Sequence, residues 1–204
     1  MQIIKDGAVV DDAWIHVADS AELPASGDVI VSLERYTEQR DALRKRGALL
    51  GVRLRSEQEA KLVAPYASEL AVIAIEIPGF KDGRGYTAAR LLRDRFGYKG
   101  EIRAVGDVLR DQLFYMRRCG FDAFELKQGK DIAGAVAAFR DFSVTYQGAA
   151  DDPRPLFRRR AAALRDRHGR QGRRRRACCA CAAGHRRSCG RRARPGGLQG
   201  RHGV

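Results

Sequence analysis

The 204-residue chain contains no run approaching the roughly 18 consecutive apolar residues that a membrane-spanning helix requires. It opens Met-Gln-Ile-Ile-Lys-Asp, without the basic stretch and apolar core of a secretory signal. Of five cysteines only Cys119 falls within the first 160 residues, so no disulfide framework holds that body together and it relies on an apolar core. A cytoplasmic protein without membrane contact is expected. Histidine is as scarce: His16 is the one imidazole in the body, and Cys119 therefore lacks a plausible base for nucleophilic chemistry. Gly-x4-Gly-Lys-Ser/Thr and Gly-x-Gly-x2-Gly are both absent, which excludes a P-loop and a dinucleotide fingerprint. With no cysteine cluster in the body and no recognisable triad, the residues imply no metal and leave any cofactor unspecified.

Net charge is also missing from the body. Residues 1–150 carry 22 Lys+Arg against 22 Asp+Glu, whereas residues 151–204 carry 17 Arg, no Lys and 3 Asp. The whole formal charge of +14 therefore belongs to residues 151–204, and the pI near 10.2 describes that segment alone. Residues 161–204 hold 13 Arg, 8 Ala and 8 Gly, with Leu164, Leu198 and Val204 as the only aliphatics larger than alanine. Such a composition cannot offset the entropy of ordering, so a single domain over 1–160 and a disordered tail over 161–204 are expected. Arg173 to Arg176 suggest a nucleic-acid arm, but the tail has no lysine, and no aromatic residue follows Phe157, which weighs against nucleic acid as partner. Cys179, Cys181, His185 and Cys189 have the chemistry of zinc ligands without their common spacing. The preferred reading is a frame-displaced translation of GC-rich DNA, for which a one-base shift after the codons of 158–160 exposes a nearby stop.

What is present in the body reads as α/β. Apolar residues make up 44% of the chain and charged residues 31%, ordinary values for a globular protein. Ile3 and Ile4 precede the turn signal Asp6-Gly7, residues 8–10 follow it, and 13–17 resume apolar alternation, giving a hairpin or meander. Short apolar runs at 29–33, 48–54, 70–77, 102–105 and 123–126 then alternate with helical patterns. Ser56 and Glu59 predict a capping box, Tyr86 or Thr87 a helix start, and Asp107 the cap of the next helix. Two prolines in 151–160 predict an extended closing segment. The fold expected is a mainly parallel sheet with helices on both faces and an N-terminal antiparallel hairpin; an incomplete (β/α) barrel is the alternative.

Ligands in parallel sheets bind where strands end, which singles out three groups of residues. The loop at 77–87 combines Lys81, Asp82, Gly83, Arg84, Gly85 and Tyr86 ahead of a helix, a set suited to phosphate, sulfate, sulfite or a carboxylate. Asp107, Arg110 and Asp111 follow the next strand. Arg53, Glu76 and Glu125, near the ends of three strands, are candidates to face the same side of the sheet as those loops, either as a paired-carboxylate acid/base group or as the solvated or ion-paired charges usual at strand ends.

The runs GFKDGRGYTAARLLR at 79–93, RAVGDVLRDQL at 103–113 and RCGFDAF at 118–124 resemble the bacterial family catalogued as domain of unknown function 934. The resemblance covers about residues 1–160, through the closing Pro155 to Arg160, near which family members usually stop. It implies a part in assimilatory sulfite reduction, because the family's genes typically lie beside those for that reductase and its members are often labelled probable oxidoreductases. No catalytic residue is established for the family, so the matching Lys81, Asp82, Arg84, Tyr86, Asp107, Arg110 and Asp111 are candidates only. Two function classes follow. One is an accessory protein that binds a small oxyanion, the sulfite reductase or another sulfur-assimilation enzyme. The other is an oxidoreductase of that pathway using the Lys81–Tyr86 loop and a borrowed cofactor.

Overall fold

Asp6 and Gly7 reverse the chain within two residues. In the computed structural model, which describes residues 1–162, both adopt positive φ (52° and 79°), as a tight hairpin turn demands. They join β1 (Gln2–Lys5) to β2 (Ala8–Asp11) in antiparallel register, Lys5 opposite Ala8. The alternation at 13–17 does not extend this into a meander: β3 (Ile15–His16) pairs in parallel with β4 (Val29–Ser32) instead. The later apolar runs become β5 (Leu50–Leu54), β6 (Val72–Ile77), β7 (Glu101–Gly106) and β8 (Ala123–Phe124). Between and after them lie α1 (Leu33–Lys45), α2 (Ala60–Val63), α3 (Arg84–Asp94), α4 (Leu113–Cys119) and α5 (Ile132–Ala135).

The strand order is β2-β1-β8-β7-β6-β5-β4-β3, parallel from β3 to β8, with β1 antiparallel to both β2 and β8. A doubly wound sheet with helices on both faces requires that order to reverse, and no reversal occurs. Successive right-handed crossovers that advance in one direction place their helices on the same side, so the arrangement is the incomplete barrel. The side chains sort accordingly. Val31, Val52, Ile75 and Ala104 share one core with Leu43, Leu92, Met116 and Ala135 from the helices. Ile30, Val72, Ala74 and Val105 point the other way and pack with Trp14.

β2 and β3 lie at opposite edges of the sheet, yet only Asp12, Ala13 and Trp14 connect them. In a flat sheet of this order the edges would stand roughly 34 Å apart at the usual strand spacing. The Cα steps from Asp11 to Ile15 span at most about 14 Å. The sheet therefore curls into an eight-stranded half-barrel whose concave face no helix among the described residues covers. The connector fills that face: Trp14 lies on the small apolar cluster, and Asp12 Oδ2 accepts a hydrogen bond from Arg103 Nη1 at 2.7 Å. The two side chains are 3% and 1% exposed. Arg103 also pairs with Glu101 at 2.9 Å, and Glu101 with Lys5 at 2.7 Å, so the interior charges close into a chain.

Several local expectations are corrected. Ser56 and Glu59 form no capping box; α2 starts at Ala60 without a side-chain cap, and Ser56 Oγ instead accepts from Arg84. α3 starts at Arg84, ahead of Tyr86. Asp107 does not cap the next helix, because a 3-10 turn at Arg110–Gln112 comes first and Gln112 Oε1 takes the Leu109 N–H. Residues 156–162 are helical rather than extended: Pro155 stands at the start, where its fixed φ suits a first turn and its carbonyl accepts from Arg158 and Arg159. The Arg173 to Arg176 cluster, the Cys179, Cys181, His185 and Cys189 set and, from residue 163 on, the frame-displaced tail lie outside the described residues. Among those described, no helix is long and apolar enough to cross a membrane.

Asp12→Ala leaves Arg103 buried against Glu101 alone and is expected to cost about 3–5 kcal/mol in urea unfolding, while Asp12→Leu with Arg103→Met recovers most of that loss. A single-variant cost under about 1 kcal/mol would show that the pair does not hold the curl.

Candidate functional site at the strand-end mouth

In barrels of parallel strands, the residues at the C-terminal strand ends converge on one opening. Register places Ser32 beside Arg53, Arg53 beside Ala74, and Glu76 beside Val105. The Glu125 N–H donates to the Ala104 carbonyl, continuing the β8 pairing one residue past the strand. Alternation then brings Ser32, Arg53, Glu76 and Glu125 to the concave face, whereas the charges of the two loops lie outside the curl. Across the opening His16 Nε2 lies 3.4 Å from Glu125 Oε2, with both side chains partly exposed. His16 sits on the first strand of the parallel run and Glu125 just past the last, and the curl makes them neighbours.

Arg53 is half-buried and makes no ion pair or hydrogen bond to a described residue; its Nε is shut off from solvent without an acceptor. Close by, the Ser32 hydroxyl chiefly, then Arg53 and Arg55, hold the Asp19 carboxyl below the usual carboxylate range. Asp19 itself pairs with Arg55 at 3.3 Å, which leaves the Arg53 guanidinium unspent.

The 77–87 loop is organised differently. Asp82 accepts from the Arg84 backbone N–H at 3.0 Å, from its Nε at 3.0 Å and from its Nη2 at 2.7 Å, and Ser56 Oγ accepts from Nη2 at 3.0 Å. The Arg84 guanidinium holds the Asp82 carboxyl well below the usual range. Arg84 is therefore matched within its own loop, and the first free N–H group of α3 already faces a carboxylate. Lys81 is exposed with no ion-pair partner among the described residues, and Gly83 is exposed at the N-cap. Gly85 serves packing: a Cβ there would stand 2.5 Å from Ile77 Cδ1, so glycine lets α3 settle onto β6. Tyr86 turns toward α4, its ring 5.6 Å from that of Tyr115.

The second loop divides as well. Asp107 pairs with Lys127 at 2.9 Å, just past β8. Arg110 reaches Asp141 at 3.3 Å, and with Asp111 it lines a cavity of about 460 Å³ shared with Lys130 and Asp131. Among the described residues no three His, Cys, Asp or Glu side chains are grouped as metal ligands. Sequence reasoning reached Arg53, Glu76 and Glu125 but missed His16 and Asp19; the one signal was the brevity of the 12–14 connector, which forces the edges together.

Asp82→Asn is expected to release Arg84 and speed amide exchange at residues 82–86 by roughly tenfold, read by mass spectrometry at neutral pH. Because folding lowers the Asp82 pKa, the wild-type interaction is complete above the unfolded value of 3.8 and fades only as pH falls below it. Unchanged exchange in the variant would show that the pair does not order the loop.

A search of curated proteins finds no match. Residues 51–157 match the family described as bacterial protein of unknown function (DUF934), more than half of the chain and nearly everything from β5 to the start of the last helix. The chain belongs to that family.

Proposed function

We propose that this protein is an accessory protein of assimilatory sulfite reduction in the cytoplasm. It takes a small oxyanion at the strand-end mouth and works beside the sulfite reductase or another sulfur-assimilation enzyme. The pathway rests on the family resemblance; the oxyanion rests on Arg53. A partly buried guanidinium that makes no ion pair or hydrogen bond to a described residue, with Asp19 near it but paired to Arg55, has donors free for an anion, and their fork suits the oxygens of sulfite or sulfate. Ser32, beside it in register, is buried and already engaged with Asp19 and the Arg35 N–H, so the anion contact falls to Arg53. Lys81, exposed in a loop at the same end of the sheet, adds longer-range attraction, whereas Arg84 is already matched by Asp82.

A second reading, an oxidoreductase of the same pathway with a borrowed cofactor, draws support from the His16–Glu125 pair. Removing oxygen from an oxyanion as water consumes protons, and a histidine and carboxylate at the opening are groups able to deliver them.

Calorimetric titration of sulfite into the full chain is expected to show affinity falling about tenfold in Arg53→Gln, the loss of one charge-assisted contact, and by roughly twofold in Lys81→Ala. Equal affinity in Arg53→Gln removes the mouth as the site; a loss confined to Lys81→Ala and Arg84→Ala moves it to the loop. A strain deleted for the gene is expected to grow on sulfide but not on sulfate or sulfite, and equal growth on all three would refute the pathway.

A further inference from the structure

On the helix-covered side, away from the face that carries Arg53, a groove of about 370 Å³ runs between α3 and α4. That volume falls in the usual range of small-molecule pockets. Its walls follow from helical spacing: Tyr86 and Arg90 lie one turn apart on α3, and Tyr115 and Cys119 one turn apart on α4. The Gln147–Ala149 segment closes the outer side, held by Arg118 Nη2 donating to the Gln147 carbonyl at 2.6 Å and by the Ala150 N–H donating to the Arg118 carbonyl at 3.0 Å.

Two arginines line the groove. Arg118 is only 12% exposed; its Nη1 forms an ion pair with Asp151 at 3.8 Å but has no hydrogen-bond partner among the described residues. Arg90 adds a second positive charge, shared with Asp94 at 2.5 Å. Both arginines are thus paired with acids, Asp151 and Asp94, that stand outside the groove wall. Burial pushes the Cys119 thiol above its usual value despite the two arginines, and burial likewise raises the Tyr86 phenol. The Tyr115 phenol is raised as well, chiefly by Cys119. The tyrosine rings, 5.6 Å apart and in contact, present an apolar surface beside the positive charge.

We propose that this groove is a binding site for a small aromatic anion, its acid group drawn to Arg118 and Arg90 and its ring laid against Tyr86 and Tyr115. The site is independent of the oxyanion site at the mouth, since it shares no residue with it. Stacking supplies a preference for an aromatic body that a bare inorganic anion lacks.

Phenyl phosphate is the probe, titrated into the full chain and followed by calorimetry and by the rate of Cys119 alkylation, resolved from the other cysteines by peptide mass spectrometry. Phenyl phosphate is expected to slow that alkylation at least about fivefold, with inorganic phosphate at equal concentration well behind, because the ring covers the thiol. Arg118→Gln is expected to weaken phenyl phosphate binding about tenfold and Tyr115→Ala roughly fivefold, while Arg53→Gln leaves it unchanged. Tyr115 is exposed, so that variant tests the site even if Arg118→Gln misfolds. Absence of protection, inorganic phosphate binding as tightly as phenyl phosphate, or full affinity in Tyr115→Ala would each overturn the assignment.

Discussion

Three residues between opposite edges of an eight-stranded sheet set the terms for everything else in this fold. A connector of that length cannot cross a flat sheet, so the sheet curls, and the concave face must be filled by side chains in place of a helical layer. Asp12 and Trp14 are the filling. Buried charge is tolerable there because Arg103 is met by Asp12 and Glu101, and Glu101 by Lys5. The connector thus both imposes the curvature and carries the carboxylate that neutralises its most buried cation.

The same curvature creates the mouth. On a flat sheet His16 and Glu125 would be separated by the intervening parallel strands; on the curled one they are 3.4 Å apart. Arg53 and Glu76 share the concave face with them, and Arg53 has no acceptor among the described residues. Charges on the loops outside the curl behave otherwise. Asp82 with Arg84, Asp107 with Lys127 and Arg110 with Asp141 each find a local partner. Local pairing is the ordinary fate of exposed charge, and it separates a cation-bearing loop from an unmatched cation held in place by a sheet.

Much of the fold was legible because strands buried on both faces leave continuous apolar runs, and those at 29–33, 48–54, 70–77, 102–105 and 123–126 all became strands. The hairpin was legible in Asp6-Gly7. Helix starts were less so: Asp107 and Ser56 have the chemistry of caps, but a cap must also stand at the right step before the first turn, and tertiary contacts drew Ser56 to Arg84 and Asp107 to Lys127. Pro155 looked like a helix breaker and proved a helix starter, since proline is excluded from the interior of a helix and not from its first turn.

From the sequence alone came the element types, the charge-balanced body and the family, because each depends on short-range pattern or residue identity. Tertiary structure decided the strand order, the burial of Arg103, the meeting of His16 with Glu125, and which of the loop cations were already matched. Those facts depend on distances between residues far apart in the chain, and periodicity along a strand says which face a side chain takes but not what stands across from it.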